Sequence, residues 1–460
     1  MSNQVWNGVK VFAALVALGV FALGVSFTFH RLLPAFNKVP TTASLPPTTE
    51  ATAATTRPAA PTSTPTAQPA PTIIPFPPYD GLIVFVSEAG GMPQIYRMRP
   101  DGSGVTQLTQ PPVKPLIPAW SPDGKWIAFD STPIDNVTTL LSMNPDGSGQ
   151  TQLTKDPNFS GYYYWSPDSR KIAYTSLSLK DPKDVQLFVM NADGSGKTEL
   201  PELKGPGKFL GWSPDSRQIV YTLGDPDATL ATSVNIINAD GTGQLKLASQ
   251  LDGVTSIQWQ DDRYFYGATS NGSDQWRLYL FSTEGTAPVQ VASTGLVVIG
   301  SVPTWFLQGS NPVFITNSYQ NLAWYRVEGT QMTLLAERSD YAGRCKTGQD
   351  NNTWMDLSPD RSLLLVSTHC SEGGTWLALA SADGAWSIPL QISIRPQIVD
   401  VAWSPNGQYV LLTLGDDPAT PHDDLYLLDV GKALKDPTSG LMPLTSDNAW
   451  KYDAAWQPEQ

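Results

Sequence analysis

A motif that returns at a nearly constant interval, four short β-rich runs within each interval, and two complementary part-units at the ends of the repeat region together predict an all-β chain, folded as an eight-bladed β-propeller. The motif is cleanest as WSPDGK at Trp120, WSPDSR at Trp165 and Trp212, and WSPNGQ at Trp403. With the tryptophan or its equivalent as landmark, the series runs Trp120, Trp165, Trp212, Trp259, Trp305, Leu357, Trp403 and Trp456, at intervals of 45, 47, 47, 46, 52, 46 and 53 residues. A unit of this length cannot cover its own apolar faces, so it stacks on its neighbours, and a closed ring leaves none uncovered.

Each unit reads as a four-stranded antiparallel blade. Around Trp120, PAWS is strand a, SPDG from Ser121 is a turn, KWIAFDS from Lys125 is strand b, TTLLSMN from Thr138 is strand c and QTQLT from Gln150 is strand d. Serine first, proline second and Asp-Gly at the end suit a type I turn, because proline presets φ and glycine relieves the last residue. The c–d connections repeat as PDGSG at Pro100 and Pro145, ADGSG at Ala192 and ADGTG at Ala239, where Asp-Gly supplies the positive φ that a tight hairpin needs. LIVFV at Leu82 and SLLLVS at Ser362 are apolar on consecutive residues, which fits sheets packed on both faces.

The weakest copies are TWFLQGSNP at Thr304, which lacks the Ser-Pro-Asp turn, and DLSPDR at Asp356, which puts leucine in the tryptophan place. The irregular stretch from Val297 to Asn352 leaves a seven-bladed count open. At the ends, DGLIVFVSE, PQIYRMRP and VTQLT supply strands b, c and d with no strand a, and YDAAWQP at Tyr452 supplies a strand a alone. Joining them closes the ring through the C-terminal strand and removes an exposed edge.

The run IYRMRPDGSGVTQLT from Ile95, followed by PAWSPDGKWIAF from Pro118, resembles the TolB-like propeller repeat of bacterial envelope proteins. Similar repeats occur in the propellers of prolyl-oligopeptidase-type and dipeptidyl-peptidase-type enzymes. The resemblance covers roughly residues 80 to 460 and implies the fold while saying little about function. The small domain that precedes the propeller in TolB, and the α/β-hydrolase domain of the peptidases, are not expected in this chain.

Four segments are predicted: a short N-terminal stretch (1–10), a transmembrane anchor (11–30), a Pro/Thr-rich linker (31–78) and the propeller (79–460). Val11 to Phe29 is 19 residues without a charge, about the length that spans a bilayer. A cleaved signal peptide is the alternative, although its apolar core is usually shorter and is followed by a small-residue cleavage site. Residues 40–78 hold 11 Pro and 11 Thr among 39 positions, a composition that builds no core. At about 3.1 Å per residue such a spacer reaches on the order of 100 Å. The expected arrangement is a single-pass protein of the cell membrane with its propeller on the extracytoplasmic side.

Charge bears on the partner. Four of the 29 basic and one of the 42 acidic residues precede residue 79, which leaves 25 against 41 and a net of −16 on the propeller. That argues against nucleic acid or an anionic lipid surface as partner for the ring, since both attract positive patches. A protein or envelope polymer is the expected partner.

The two cysteines, Cys345 and Cys370, fall in a d–a loop and after a strand b, connections that emerge on one face of a meander. A disulfide between them is expected, worth about 3 kcal/mol through loop closure and consistent with an oxidising compartment.

No nucleophile elbow, His-Glu-x-x-His or phosphate-binding glycine loop occurs, and no cofactor is expected. The chain has three histidines. Two of them, His369 and His422, fall in the b–c regions of adjacent blades with Glu372, Asp416, Asp417, Asp423 and Asp424 nearby, and imidazole plus carboxylates can hold a divalent metal. The TolB-like resemblance extends to oligogalacturonide lyases, which imply a metal held by several histidines, more than this chain supplies. The expectation is therefore a non-catalytic binding or assembly module. The alternative is a metal-dependent envelope polysaccharide lyase or hydrolase with its site near His369 and His422. Residues 337–350, 369–373 and 415–424 mark the expected contact face, with Tyr162, Tyr163, Phe209 and Trp354 either edging the channel mouth or packing between blades.

Overall fold

The computed structural model describes residues 81–459 apart from 132–137, 155–158, 178–184, 201–206, 225–231, 252, 271–275, 294–303, 309–310, 318–321, 329–330, 339–351, 370–374, 391–396, 416–422 and 448. The expected anchor and linker lie outside the described residues. Among the described residues no helix is long and apolar enough to cross a membrane.

Among the described residues thirty-two strands form eight four-stranded antiparallel sheets. Blade 1 joins β1 (Ile83–Ser87), β2 (Gln94–Met98) and β3 (Thr106–Gln107) to the last strand, β32 (Lys451–Trp456). Blade 2 is β4 (Pro115–Trp120), β5 (Ile127–Ser131), β6 (Thr139–Met143) and β7 (Thr151–Gln152); blade 3 is β8 (Phe159–Trp165), β9 (Lys171–Leu177), β10 (Val185–Asn191) and β11 (Thr198–Glu199). Blade 4 is β12 (Lys208–Trp212), β13 (Gln218–Gly224), β14 (Thr232–Asn238) and β15 (Leu245–Leu251); blade 5 is β16 (Val254–Trp259), β17 (Tyr264–Ser270), β18 (Trp276–Ser282) and β19 (Val289–Ser293). Blade 6 is β20 (Thr304–Gln308), β21 (Asn311–Asn317), β22 (Leu322–Glu328) and β23 (Gln331–Arg338); blade 7 is β24 (Asn352–Leu357), β25 (Leu363–His369), β26 (Thr375–Ser381) and β27 (Ser387–Leu390). Blade 8 is β28 (Gln397–Trp403), β29 (Tyr409–Gly415), β30 (Asp423–Asp429) and β31 (Leu441–Pro443), with a one-turn helix α1 (Val430–Lys435) between its last two strands. The count is eight, so the seven-bladed alternative is discarded.

The core sits between blades rather than within them. Eight apolar clusters each draw on two successive sheets; one packs Val84, Val86 and Ile95 of blade 1 on Trp120, Ile127 and Phe129 of blade 2. Another packs Tyr409, Leu411 and Leu425 of blade 8 on Ile83, Phe85 and Trp456 of blade 1, so the last interface of the ring is sealed like the others. Each fully buried side chain of this size contributes roughly 1.5–3 kcal/mol.

The repeated motif has two mechanical jobs. Within the turn, Ser121 Oγ donates to Asp123 Oδ1 (2.7 Å) and accepts from Trp126 N (3.0 Å), and the same triangle recurs at Ser166 with Asp168 and at Ser404 with Asn406. The fourth turn position takes positive φ at Gly124 (67°), and at Ser169 and Ser216 (63° each) the strain is offset by hydroxyls that accept from Asp123 N and Asp168 N of the preceding blades. Beside the turn, the landmark indole reaches back one blade. Trp456 Nε1 donates to Ala402 O (2.9 Å), Trp212 Nε1 to Tyr164 O (3.2 Å) and Trp120 Nε1 to Ala455 O (3.4 Å). In these three pairs the acceptor is the residue just before the neighbouring landmark. Leu357 keeps the spacing but has no donor to offer.

Closure follows the expected pairing, with Ile83 opposite Trp456 and Ser87 opposite Lys451. Gln457 locks the seam further, its N–H donating to Leu82 O (2.7 Å) and its side-chain amide to Gly124 O (2.9 Å).

Candidate functional site

In each blade strand a, the innermost, carries the landmark, and six of these eight strands break register partway along. The irregularity lies between Leu116 and Ala119 in β4, Phe159 and Tyr163 in β8, Phe209 and Gly211 in β12, Val254 and Ser256 in β16, Ile398 and Asp400 in β28, and opposite Val84 and Val86 in β32. A bulge bends its strand and re-aims side chains, and bulges recur beside functional sites. Two of these carry positive φ without glycine: Ile117 at 47° and Asp453 at 51°. For a β-branched residue that is a genuine outlier.

Around the closure seam the bulges assemble carboxylates. Asp400 of β28 and Asp453 of β32 both stand three residues before their landmark tryptophans, in adjacent blades. Asp356 of β24 comes from the blade before, and Asp130 of β5 from the blade after, where it pairs across the sheet with Leu116 at the bulge of β4. Asp453 Oδ2 accepts from Ile117 N at 3.2 Å. Blades 7, 8, 1 and 2 thus contribute one acid each to a continuous arc.

Electrostatics ties the arc together. Burial, and then the charge of Asp453, push the carboxyl of Asp130 well above the usual carboxylate range. Burial, Asp453 and Asp356 do the same to Asp400, despite the hydrogen bond it accepts from Val401 N. Asp356 is raised to about 6 by burial. Tyr163 ends the arc: its hydroxyl sits against the carbonyls of Ile117 and Ala128, and burial with the charges of Asp130 and Asp453 keeps it protonated well above the usual phenol range. Asp130 Oδ1 has no hydrogen-bond partner among the described residues. Such groups, desolvated and mutually repelling, are typical of sites rather than of cores.

The residues expected at a site on the loop face fare differently. Glu372, Asp416, Asp417 and His422 lie outside the described residues, as do Cys345 and Cys370. His369 ends β25, paired with Asn352 and Thr375. Asp423 is buried at the start of β30. Asp424 accepts from Thr445 Oγ1 (2.7 Å) and lies 3.4 Å from Lys451 Nζ, so it fastens β30 to β32. Among the described residues no group of three or more His, Cys, Asp or Glu could hold a metal ion. Of the aromatics, Phe209 stacks on Tyr164 of the preceding blade with ring centroids 4.2 Å apart, and Tyr163 reaches back to blade 2, so both pack between blades. Tyr162 stays 39% exposed beside them.

The arc was missed in the sequence because its members sit on four different strands. One signal was present: DVAW at Asp400 and DAAW at Asp453 place aspartate at the same offset before the landmark tryptophan.

No protein-family model matches the chain, and no curated protein does. Solved structures do. TolB from Acinetobacter baumannii is 13% identical over 82% of this chain and 67% of its own, with a TM-score of 0.41. An oligogalacturonate lyase in complex with manganese is 13% identical over 76% of this chain and 97% of its own, at 0.48. A prolyl endopeptidase is 11% identical over 74% of this chain and 50% of its own, at 0.51. At these identities the likeness is one of fold, that of a β-propeller, shared by proteins of different activities.

Proposed function

We propose that this chain is a membrane-tethered, extracytoplasmic binding or assembly module without catalytic activity. Residues 11–30 anchor it, the Pro/Thr-rich segment holds the ring away from the bilayer, and a protein or envelope ligand docks on the face that bears the d–a and b–c connections, at the channel mouth. One observation carries the reading: carboxylates from four successive blades, three on inner strands and Asp130 on the strand beside one, gather at the seam although burial penalises the charge of Asp130, Asp400 and Asp356. A core gains nothing from that arrangement, whereas a ligand that neutralises it would. The alternative, a metal-dependent lyase or hydrolase near His369 and His422, draws no support from Asp424, which is engaged with Lys451.

Photo-crosslinkers placed in the full-length chain in its own membrane test this. One replaces Tyr162 on an inner strand, the other Trp126 beside an a–b turn on the opposite face; both side chains are 39% exposed. The expected result is a discrete adduct from position 162 and none from 126. Equal labelling, or none at either, removes the reading.

A further inference from the structure

Asp130 separates this arc from an ordinary acidic rim. It is 5% exposed, one of its carboxylate oxygens lacks a hydrogen-bond partner among the described residues, and burial together with the charge of Asp453 across the bulge of β4 raises its carboxyl well above the usual range. The fold brings an acceptor into the seam and leaves it unanswered there. Asp453 and Asp356 are only half-buried, so the arc is not closed off from solvent.

The spacing selects the ligand. The acids are distributed over blades 7, 8, 1 and 2, and no three of them converge on a point that would hold an ion. Acceptors spread along an arc suit a larger cation that carries several N–H donors around its positive centre, an ammonium or a guanidinium. Entry along a channel lined by inner strands also requires that the charge sit on a slender stem, which lysine and arginine side chains provide. The net charge of −16 on the ring would draw such a partner in.

We propose that Asp130, Asp453, Asp400 and Asp356 form a receptor site for a lysine or arginine side chain carried by a protein partner. The proposal rests on the binding-module reading and specifies the partner's chemistry. Asp453 presents its carboxylate at the centre of the arc, Asp400 and Asp130 flank it, and Asp356 extends it toward blade 7. Charge pairing in a partly desolvated site is strong enough to fix register as well as affinity.

The test is calorimetric titration of the full-length chain, in a neutral detergent, with three capped peptides that differ only in a central lysine, arginine or norleucine. Saturable binding of the lysine and arginine peptides at neutral pH, with none of the norleucine peptide, is expected. Asp453→Asn and Asp130→Asn should each weaken it by about tenfold or more, and binding should fade as pH drops through about 6, where Asp356 takes up its proton. Near-ultraviolet circular dichroism checks that each variant is folded, and Asp400→Asn replaces any that is not. Equal binding of all three peptides, no binding, or asparagine variants that bind like the parent would overturn the proposal. A crosslink at position 162 that persists in Asp453→Asn would leave the module standing and remove the basic side chain as its ligand.

Discussion

Lys451 Nζ lies 3.4 Å from the carboxylate of Asp424 and also meets Asp447, with only 1% of the lysine side chain exposed. The pair ties β32, the strand that closes blade 1, to β30 of blade 8. Since an interior ammonium survives only when paired, removing it strands Asp424 in turn. Lys451→Met is expected to cost about 3 kcal/mol in denaturant unfolding. The double variant Lys451→Met with Asp424→Leu should recover part of that loss; strictly additive effects would show that the two do not interact.

Asp356 gives the ring an unusual pH response. Its carboxyl is raised from 3.8 to about 6, so between those values the folded state binds more protons than the unfolded one and stability falls as pH rises. The penalty is absent below about 4 and complete above about 6. Asp356→Asn should therefore stabilise the protein at neutral pH, by up to about 3 kcal/mol, with the gain vanishing toward pH 4. Melting curves of parent and variant across this window would check it, and a gain that is independent of pH would refute it.

The landmark indoles are not equivalent. Trp456 and Trp403 are 7% and 8% exposed, yet Trp456 Nε1 donates to Ala402 O at 2.9 Å while Trp403 Nε1 has no hydrogen-bond partner among the described residues. Trp456→Phe should cost about 1–2 kcal/mol more than Trp403→Phe, the worth of a buried hydrogen bond whose acceptor is left behind. Equal losses in urea titrations would mean that the indole acts by bulk alone.

We further predict that Cys345 and Cys370 are joined. Alkylation of the unfolded, unreduced chain should leave both unlabelled, and reduction should expose both. Complete labelling without reductant would show two free thiols.

The ring was legible in the sequence because its determinants are local and repeated. The Ser–Asp turn at Ser121 recurs with the same hydrogen bonds at Ser166 and Ser404, and the part-units around Ile83 and Trp456 pair as their composition requires. Even TWFLQ, stripped of its turn motif, forms β20 in its proper place. Strand d of blade 2 was overestimated: QTQLT shrinks to Thr151–Gln152, whereas the outermost strands of blades 4 and 6 run to seven and eight residues. Helix α1 was not foreseen, its six residues being too short for periodicity to register, though Asp429 caps it through Lys432 N. The acidic arc was hidden for a different reason. Asp130, Asp356, Asp400 and Asp453 span more than three hundred positions of the chain and meet only because closure sets blade 8 against blade 1 and bulges turn the strands of Asp400 and Asp453.

Both the ring and the arc require the last strand, which completes blade 1 and delivers Asp453. Hydrogen exchange of the segment 82–87, compared between the full-length chain and one shortened after residue 448, tests this most directly. Slow exchange in the full chain, lost on shortening together with the protection of blade 8 around Tyr409–Leu411, is the predicted result. Exchange at 82–87 that is unchanged by the deletion would contradict it.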